Sequence, residues 1–472
     1  MSDRRVFRWA TSSARLLIGT AVSICAAIAV VTAVWLPWPT LARSPLEVTA
    51  TPAPAASMIV CDGALLTIGR DPTDADAVQV AVPQSVVGGV AEGEPADEER
   101  LETVDVGEGP VAFVAQPVGD EAVDIAATGS ATAAEPDLAG FAASACRPPL
   151  LDSWLVGGSA TTGAADLVLL SNPGTVAATV QLTVYGVDGP QVPPGGSDLV
   201  IAPGTQRVIP LAGLALGEET PVVRVSAVGA PIHASLQASI IRTLTPGGVD
   251  QVGPVPQAET RTVITGVTVE PDTGEDDGAA EAPAEATVLR MLSPSAAATA
   301  RVTVNAVGRA ESVREPQEVA LEEGRPLAFA LDGLSTGTYT VTVEADAPVV
   351  SAVWQTTGVE EGDDFAWYTP SPEVAVPSLF ATPGGPTPTL SIVNPAAEAV
   401  TVGVVAADGG STMDLTVPAL GSVSVRLAPR TLYLFEPDAP VRAGLTFAGD
   451  GALAGFPIWP ADVATPEIVV YP

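Results

Sequence analysis

The sequence predicts an all-β protein, in which tandem β-sandwich domains of immunoglobulin-like type follow one N-terminal transmembrane helix. Three observations carry this expectation. Charged residues make up 16% and aromatic residues 4% of the chain, while Gly and Pro number 45 each, which suits short strands and turns better than long helices laced with charge. One uncharged apolar run of helical length lies near the N-terminus. Three later segments repeat one order of strand, turn and strand at the spacing of a sandwich domain. A chain of 472 residues outgrows a single core, so several domains are expected.

The apolar run comes first. Arg4, Arg5, Arg8 and Arg15 precede Leu16–Leu36, a stretch without a charge. About 20 apolar residues cross a bilayer. Phe7 and Trp9 on one side, with Trp35 and Trp38 on the other, suit the interfacial belts, and basic residues before the span place the N-terminus inside. Residues 1–15 are then a cytoplasmic tail, 16–36 a transmembrane helix or signal anchor that contacts the lipid bilayer, and the bulk lies outside. The competing arrangement is a cleaved signal peptide, since Thr40-Leu41-Ala42 ends on a small residue before Arg43. Secretory cores usually run about 7 to 15 residues, so the longer run favours a retained anchor. Either arrangement exports the remainder.

Cysteine usage agrees with export. Cys25 lies in the span, which leaves Cys61 and Cys146 as an even pair in an oxidising compartment, and such a pair usually bridges. The expected disulfide closes an N-terminal β unit over 46–147. Its runs Ser57-Met58-Ile59-Val60, Ala77-Val78-Gln79-Val80 and Val111-Ala112-Phe113-Val114 read as strands.

After Arg147 the chain repeats. Leu167-Val168-Leu169-Leu170-Ser171-Asn172-Pro173 leads to Val180–Tyr185, Met291-Leu292-Ser293-Pro294 leads to Val302-Thr303-Val304, and Leu390-Ser391-Ile392-Val393-Asn394-Pro395 leads to Val400–Val404. The turn prolines are 121 and 101 residues apart, which is the size of a sandwich domain. This divides the rest into repeats over 148–258, 259–370 and 371–472. Asp188-Gly189, Val307-Gly308 and Asp408-Gly409 follow as hairpin turns, since Asp-Gly tolerates positive φ. Leu236, Trp354 and Phe456 read as one core position filled three times, for packing rather than for ligand binding.

The second copy carries about ten extra residues before its proline. Asp272, Glu275, Asp276, Asp277, Glu281 and Glu285 stand there among Gly, Ala and Pro, a composition that cannot bury a core and predicts a mobile surface loop. Glu92–Glu102 in the N-terminal unit reads the same way. Neither stretch offers an Asp-x-Asp-x-Asp-Gly loop closed by Glu, so no calcium or other metal site is expected.

Composition and motifs argue against an enzyme. Gly333-Leu334-Ser335-Thr336-Gly337 matches a nucleophile elbow, but its flanks alternate like strands and no helix pattern follows. The first copy reads Gly213-Leu214-Ala215-Leu216-Gly217 at the same place, so the glycines serve a turn. His233 is the sole histidine and precedes Ser335, the reverse of the hydrolase order; at the strand start Pro231–Ser235 it reads as a structural or exposed residue. No catalytic residue and no cofactor is expected. Net charge is −35, with 20 basic residues that are all Arg, so a polyphosphate backbone would be repelled and nucleic acid is an improbable partner.

The arginine-flanked span, Cys146 followed by Trp154-Leu155-Val156-Gly157-Gly158-Ser159, and the run Leu167–Asn172 closed by Pro173-Gly174 resemble an uncharacterised family of single-span envelope proteins from high-GC Gram-positive bacteria. The resemblance implies location and architecture and transfers no functional residue. The expected function is a non-enzymatic, membrane-anchored extracellular interaction or spacer module, meeting envelope proteins or wall polymer. The alternative is an accessory subunit of a membrane complex that assembles or exports envelope glycans.

Overall fold

The computed structural model describes residues 3–35, 48–50, 53–70, 73–74, 77–90, 94–119, 121–270, 286–449, 451–461 and 468–470. They fall into two compact units, Met1–Pro52 with Pro466–Pro472, and Ala53–Thr465. The first unit contains the helix Asp3–Trp35 and a two-stranded antiparallel ribbon, Val48–Ala50 against Ile468–Val470. Ser13–Trp35 within the helix is 23 residues with mean hydropathy 2.4, long and apolar enough to cross a bilayer or to serve as a signal sequence. Its hydroxyls are satisfied internally: Thr20 donates to the Leu16 carbonyl at 2.9 Å and Thr32 to that of Ile28 at 2.8 Å. The cleavage motif Thr40-Leu41-Ala42 lies outside the described residues.

The second unit is all-β, as the composition implies. Alternation builds the paired sheets. In Ala178–Gly186 the side chains of Ala178, Val180, Leu182 and Val184 are buried, and Thr179 and Gln181 between them are exposed; Ala298–Ala306 and Val400–Ala406 repeat the pattern. The turn prolines then mark three double-sheet segments with one pairing scheme. In the first sandwich, Asp152–Val156, Val222–Val228, Ala178–Gly186 and Gly189–Gln191 form one sheet, and Thr205–Pro210, Leu167–Asn172, His233–Arg242 and Thr245–Val252 the other. The second and third sandwiches reproduce both orders around Thr287–Leu292 and Pro388–Val393. In the second, a single strand, Gly337–Thr356, crosses between sheets, pairing with Ala298–Ala306 early and with Thr287–Leu292 late.

The turn shared by the first and third sandwiches has a direct cause in the side chain of its asparagine. Asn172 Nδ2 donates to the Val176 and Ile201 carbonyls at 2.9 and 3.0 Å, and its Oδ1 accepts from Gly174 N–H at 3.0 Å. Asn394 does the same with Glu398, Val417 and Ala396. Both are buried. The side chain replaces the ladder partners that a proline turn removes.

The sandwiches are not independent beads. Leu167–Asn172 is buried at every position because both of its faces are covered: Val168 and Leu170 lie in the sandwich core, whereas Leu167 and Leu169 pack against Leu66 of the N-terminal segment. The core of the first sandwich also takes in Leu292, Val350 and Phe365 of the second, and that of the third takes in Phe141. Asp97–Thr103 extends the first sandwich sheet through a parallel pairing, Thr205 with Glu102 and Gln206 with Thr103. That corrects the expected loop over Glu92–Glu102, most of which forms a strand paired with Gly107–Ala115 on one side and, at its end, with Thr205–Pro210 on the other: Leu101 and Thr103 point inward while Asp97, Glu98 and Glu99 remain in solvent. The acidic stretch Asp272–Glu285 lies outside the described residues.

One carboxylate ties four segments together. Asp364 is fully buried; its Oδ1 accepts from Val249 and Phe365 N–H at 3.1 and 3.0 Å, and its Oδ2 from Phe141 and Leu453 N–H at 2.7 and 3.2 Å. Burial pushes its carboxyl up to about 7, against the pull of those four donors. The approach requires glycine. A Cβ on Gly140, at φ +133°, would stand 2.5 Å from Asp364 Oδ1 and 2.8 Å from Val249 N.

Candidate functional site

Register locates the site. Val168 pairs with Leu236, Leu289 with Val353 and Leu390 with Leu445, each first residue standing five before its turn proline. Leu236, Val353 and Leu445 are therefore the equivalent core residues. The expected equivalence of Leu236, Trp354 and Phe456 is corrected: Phe456 belongs to the next strand, opposite Leu445, and Trp354 is one residue further along its own strand, which turns its side chain to the opposite face.

On that outward face the three copies differ. Gln237 occupies the place of Trp354 in the first sandwich, accepting from Leu66 N–H at 2.8 Å and donating to the Leu66 carbonyl at 2.7 Å. Thr446 occupies it in the third and donates to the Gly266 carbonyl at 2.6 Å. Both side chains fasten a neighbouring segment. Trp354 is half-buried and lines a cleft of about 590 Å³ between the first and second sandwiches.

The cleft floor is a sheet face. Ala330, Val288, Trp354 and Trp367 form one row across three ladders, and the small Ala328 and Ala330 leave space beside the indole of Trp354. The opposite wall comes from the first sandwich: the loop carrying Ser159, Thr161 and Gly163, then Asp166, then the hairpin at Arg242. Arg290 closes one end. Its guanidinium stacks 4.6 Å above the Trp367 ring, and its terminal nitrogens donate to the carbonyls of Gly158, Pro221 and Glu219 at 2.8, 3.0 and 3.3 Å.

Electrostatics follow from that enclosure. Asp166 is 4% exposed; Oδ1 accepts from Ser239 N–H at 2.8 Å and Oδ2 from Ser159 N–H at 2.6 Å. Burial pushes its carboxyl up to about 7, opposed by those donors and by Arg290. Burial also pulls Arg290 down to about 9, with the charge of Asp166 opposing, so Arg290 stays cationic at neutral pH. Each Asp166 oxygen keeps acceptor capacity beyond its single N–H partner. Ser159 Oγ and Thr161 Oγ1 lie 2.9 Å apart, adding hydroxyls that can donate or accept.

The residues singled out from sequence fall elsewhere. Cys61 and Cys146 are joined as a disulfide. The residues after each cysteine, Asp62 and Arg147, are buried beside it. His233 begins its strand and is buried; its Nε2 lies 2.6 Å from Asp62 Oδ1. Ser335 is exposed, its hydroxyl 3.3 Å from that of Tyr339, and a strand rather than a helix starts at Gly337. The matching stretch of the first copy ends a five-residue helix, Leu211–Ala215. Leu214 and Leu334 are buried at equivalent places in the two turns. Among the described residues no three His, Cys, Asp or Glu side chains gather as metal ligands.

Sequence reading passed over Asp166, Arg290, Asp364 and the buried Asp250, whose Oδ2 accepts from Trp367 N–H at 2.7 Å. The available signal was a charge inside an apolar strand, as in Val288-Leu289-Arg290-Met291-Leu292 and Val249-Asp250-Gln251-Val252. A charge there is retained only when partners meet it.

No curated protein matches the chain. One family model matches residues 102–429, a stretch that includes both walls of the cleft, Trp354 and Asp364, and leaves out the N-terminal helix and Cys61. The matched stretch is more than half of the chain, so the protein belongs to the family of unknown function DUF5719.

Proposed function

We propose that the protein is a non-enzymatic interaction module of the cell envelope, held in the membrane by Ser13–Trp35 with its N-terminus in the cytoplasm and its β body outside. The observation that carries this reading is the half-buried Trp354 in a cleft where two charged side chains, Asp166 and Arg290, are held in place by backbone partners. Side chains anchored in that way give the preformed polar lining that suits holding a ligand. The disulfide supports an oxidising exterior, and the acidic body supports solubility there. The buried joint at Asp364 favours one rigid presenting body over a flexible spacer.

In-cell crosslinking through a photoreactive residue at Thr162, followed by mass spectrometry of detergent-solubilised membranes, tests it. Recovery of wall polymer or envelope proteins supports the module. One reproducible membrane partner moves the balance to an accessory subunit of a glycan-assembling or exporting complex. Release of sugar from wall preparations by the purified protein overturns the non-enzymatic reading.

A further inference from the structure

We infer that the cleft beneath Trp354 binds a short, uncharged saccharide. The inference rests on the cleft being the place where the module binds, and it names the ligand class.

Five features select that class. A half-buried indole on a sheet face, backed by Phe365 at 6.3 Å between ring centroids, offers a platform for the C–H face of a sugar ring, and an aromatic ring of this kind combines a large apolar surface with little rotamer freedom to lose. Around the platform stand groups that pair with hydroxyls: Asp166, with unused acceptor capacity, and Ser159 and Thr161. Acidic and basic side chains are mixed in the lining, Asp166 and Glu219 with Arg242 and Arg290, so no strong field of one sign attracts a phosphate or a polyanion. The floor is the face of a paired sheet, so an extended peptide finds no free ladder edge to join. The volume, about 590 Å³, falls in the ~300–1,000 Å³ range that encloses a small organic ligand.

The copies supply an internal control. Gln237 and Thr446, at the place of Trp354, are consumed by contacts within the chain. Of the three places, that in the second sandwich carries an aromatic ring, and the ring borders the cleft.

The test is a titration of the full-length protein in lipid nanodiscs with a panel of disaccharides and trisaccharides, covering neutral hexoses, pentoses, amino sugars and uronic acids. Tryptophan emission and saturation-transfer NMR are the readouts. The expected result is saturable quenching by at least one neutral saccharide, with affinity at least tenfold weaker in Trp354→Ala and largely kept in Trp354→Phe. Thr389→Ala, on a separate cleft lined by threonines, leaves binding unchanged. The inference is overturned if no panel member binds saturably, if only the uronic acids bind, or if Trp354→Ala binds as wild type. A crosslink from position 162 to an envelope protein, with no saccharide bound, removes the saccharide and leaves the interaction module standing. Absence of both removes both.

Discussion

Asp62 Oδ1 lies 2.6 Å from Nε2 of His233, and neither side chain reaches solvent. The pair joins the N-terminal segment to the first sandwich across 171 positions of sequence. Burial alone would push the Asp62 carboxyl up, but the hydrogen bond and charge of His233, with help from Ser144 and Ser235, hold it below the ordinary carboxylate value. Its contribution to stability is therefore present above pH 3.8 and lost as pH falls through the depressed value. Removing one partner strands the other, so His233→Ala should cost about 3–5 kcal/mol in urea denaturation. The double variant Asp62→Asn/His233→Gln should cost less than the sum of its single changes. Additive costs would show that the two do not act as a pair.

Asp364→Ala should cost more than an ordinary surface-to-core change, because it orphans N–H groups in four segments at about 1–3 kcal/mol each. Amide exchange at Phe141, Val249 and Leu453 should accelerate together. Acceleration confined to one of them would mean that the joint is not shared.

Buried carboxylates give the β body an acid-leaning stability profile. Asp166 and Asp364 have folded values near 7 against 3.8 unfolded, and Asp124 near 6. Below 3.8 both folded and unfolded chains carry these protons. As pH rises toward 7 the unfolded chain releases them first, so stability falls through that interval and then levels. Denaturation midpoints should decline from pH 5 to pH 8, and Asp166→Asn should flatten the slope. A rise across the same interval would contradict the assignment.

Asn172→Ala should destabilise by about 2 kcal/mol, since the carbonyls of Val176 and Ile201 lose a buried donor. Asn394→Ala should match it. The two turns belong to different sandwiches, so the double variant should add to within about 0.5 kcal/mol in calorimetry.

A net charge of −35 repels itself over distances that salt screens, the Debye length shrinking from about 30 Å at 0.01 M to about 10 Å at 0.1 M. The melting temperature should rise with added sodium chloride. A flat or falling trend would mean that local ion pairs such as Arg70 with Asp137 outweigh the global field.

Sequence made the strands legible wherever one face is buried. Alternation in Val180–Tyr185 and Val400–Val404 specified both the strands and their inward faces. It was less informative at Leu167–Leu170, where an unbroken apolar run marked cover on both faces and hence contact between segments. The acidic side chains of Asp97–Thr103 hid a strand for the opposite reason, because Asp97, Glu98, Glu99 and Glu102 stand in solvent although the backbone is paired with Gly107–Ala115 and Thr205–Pro210. The cleft stayed invisible because register decides it. Trp354 differs from the core residue Val353 by a single step, and only the pairing of Leu289 with Val353 tells which of the two points inward.

The joint at Asp364 also sets a schedule. Its donors arrive with Phe141, Val249, Phe365 and Leu453, and at synthesis rates of ~5–20 residues per second the first waits roughly 15 to 60 seconds for the last. Throughout that interval Phe141 lacks the third-sandwich core into which it packs. A chain halted before Leu453 emerges therefore carries the joint open, with one donor to Asp364 still missing.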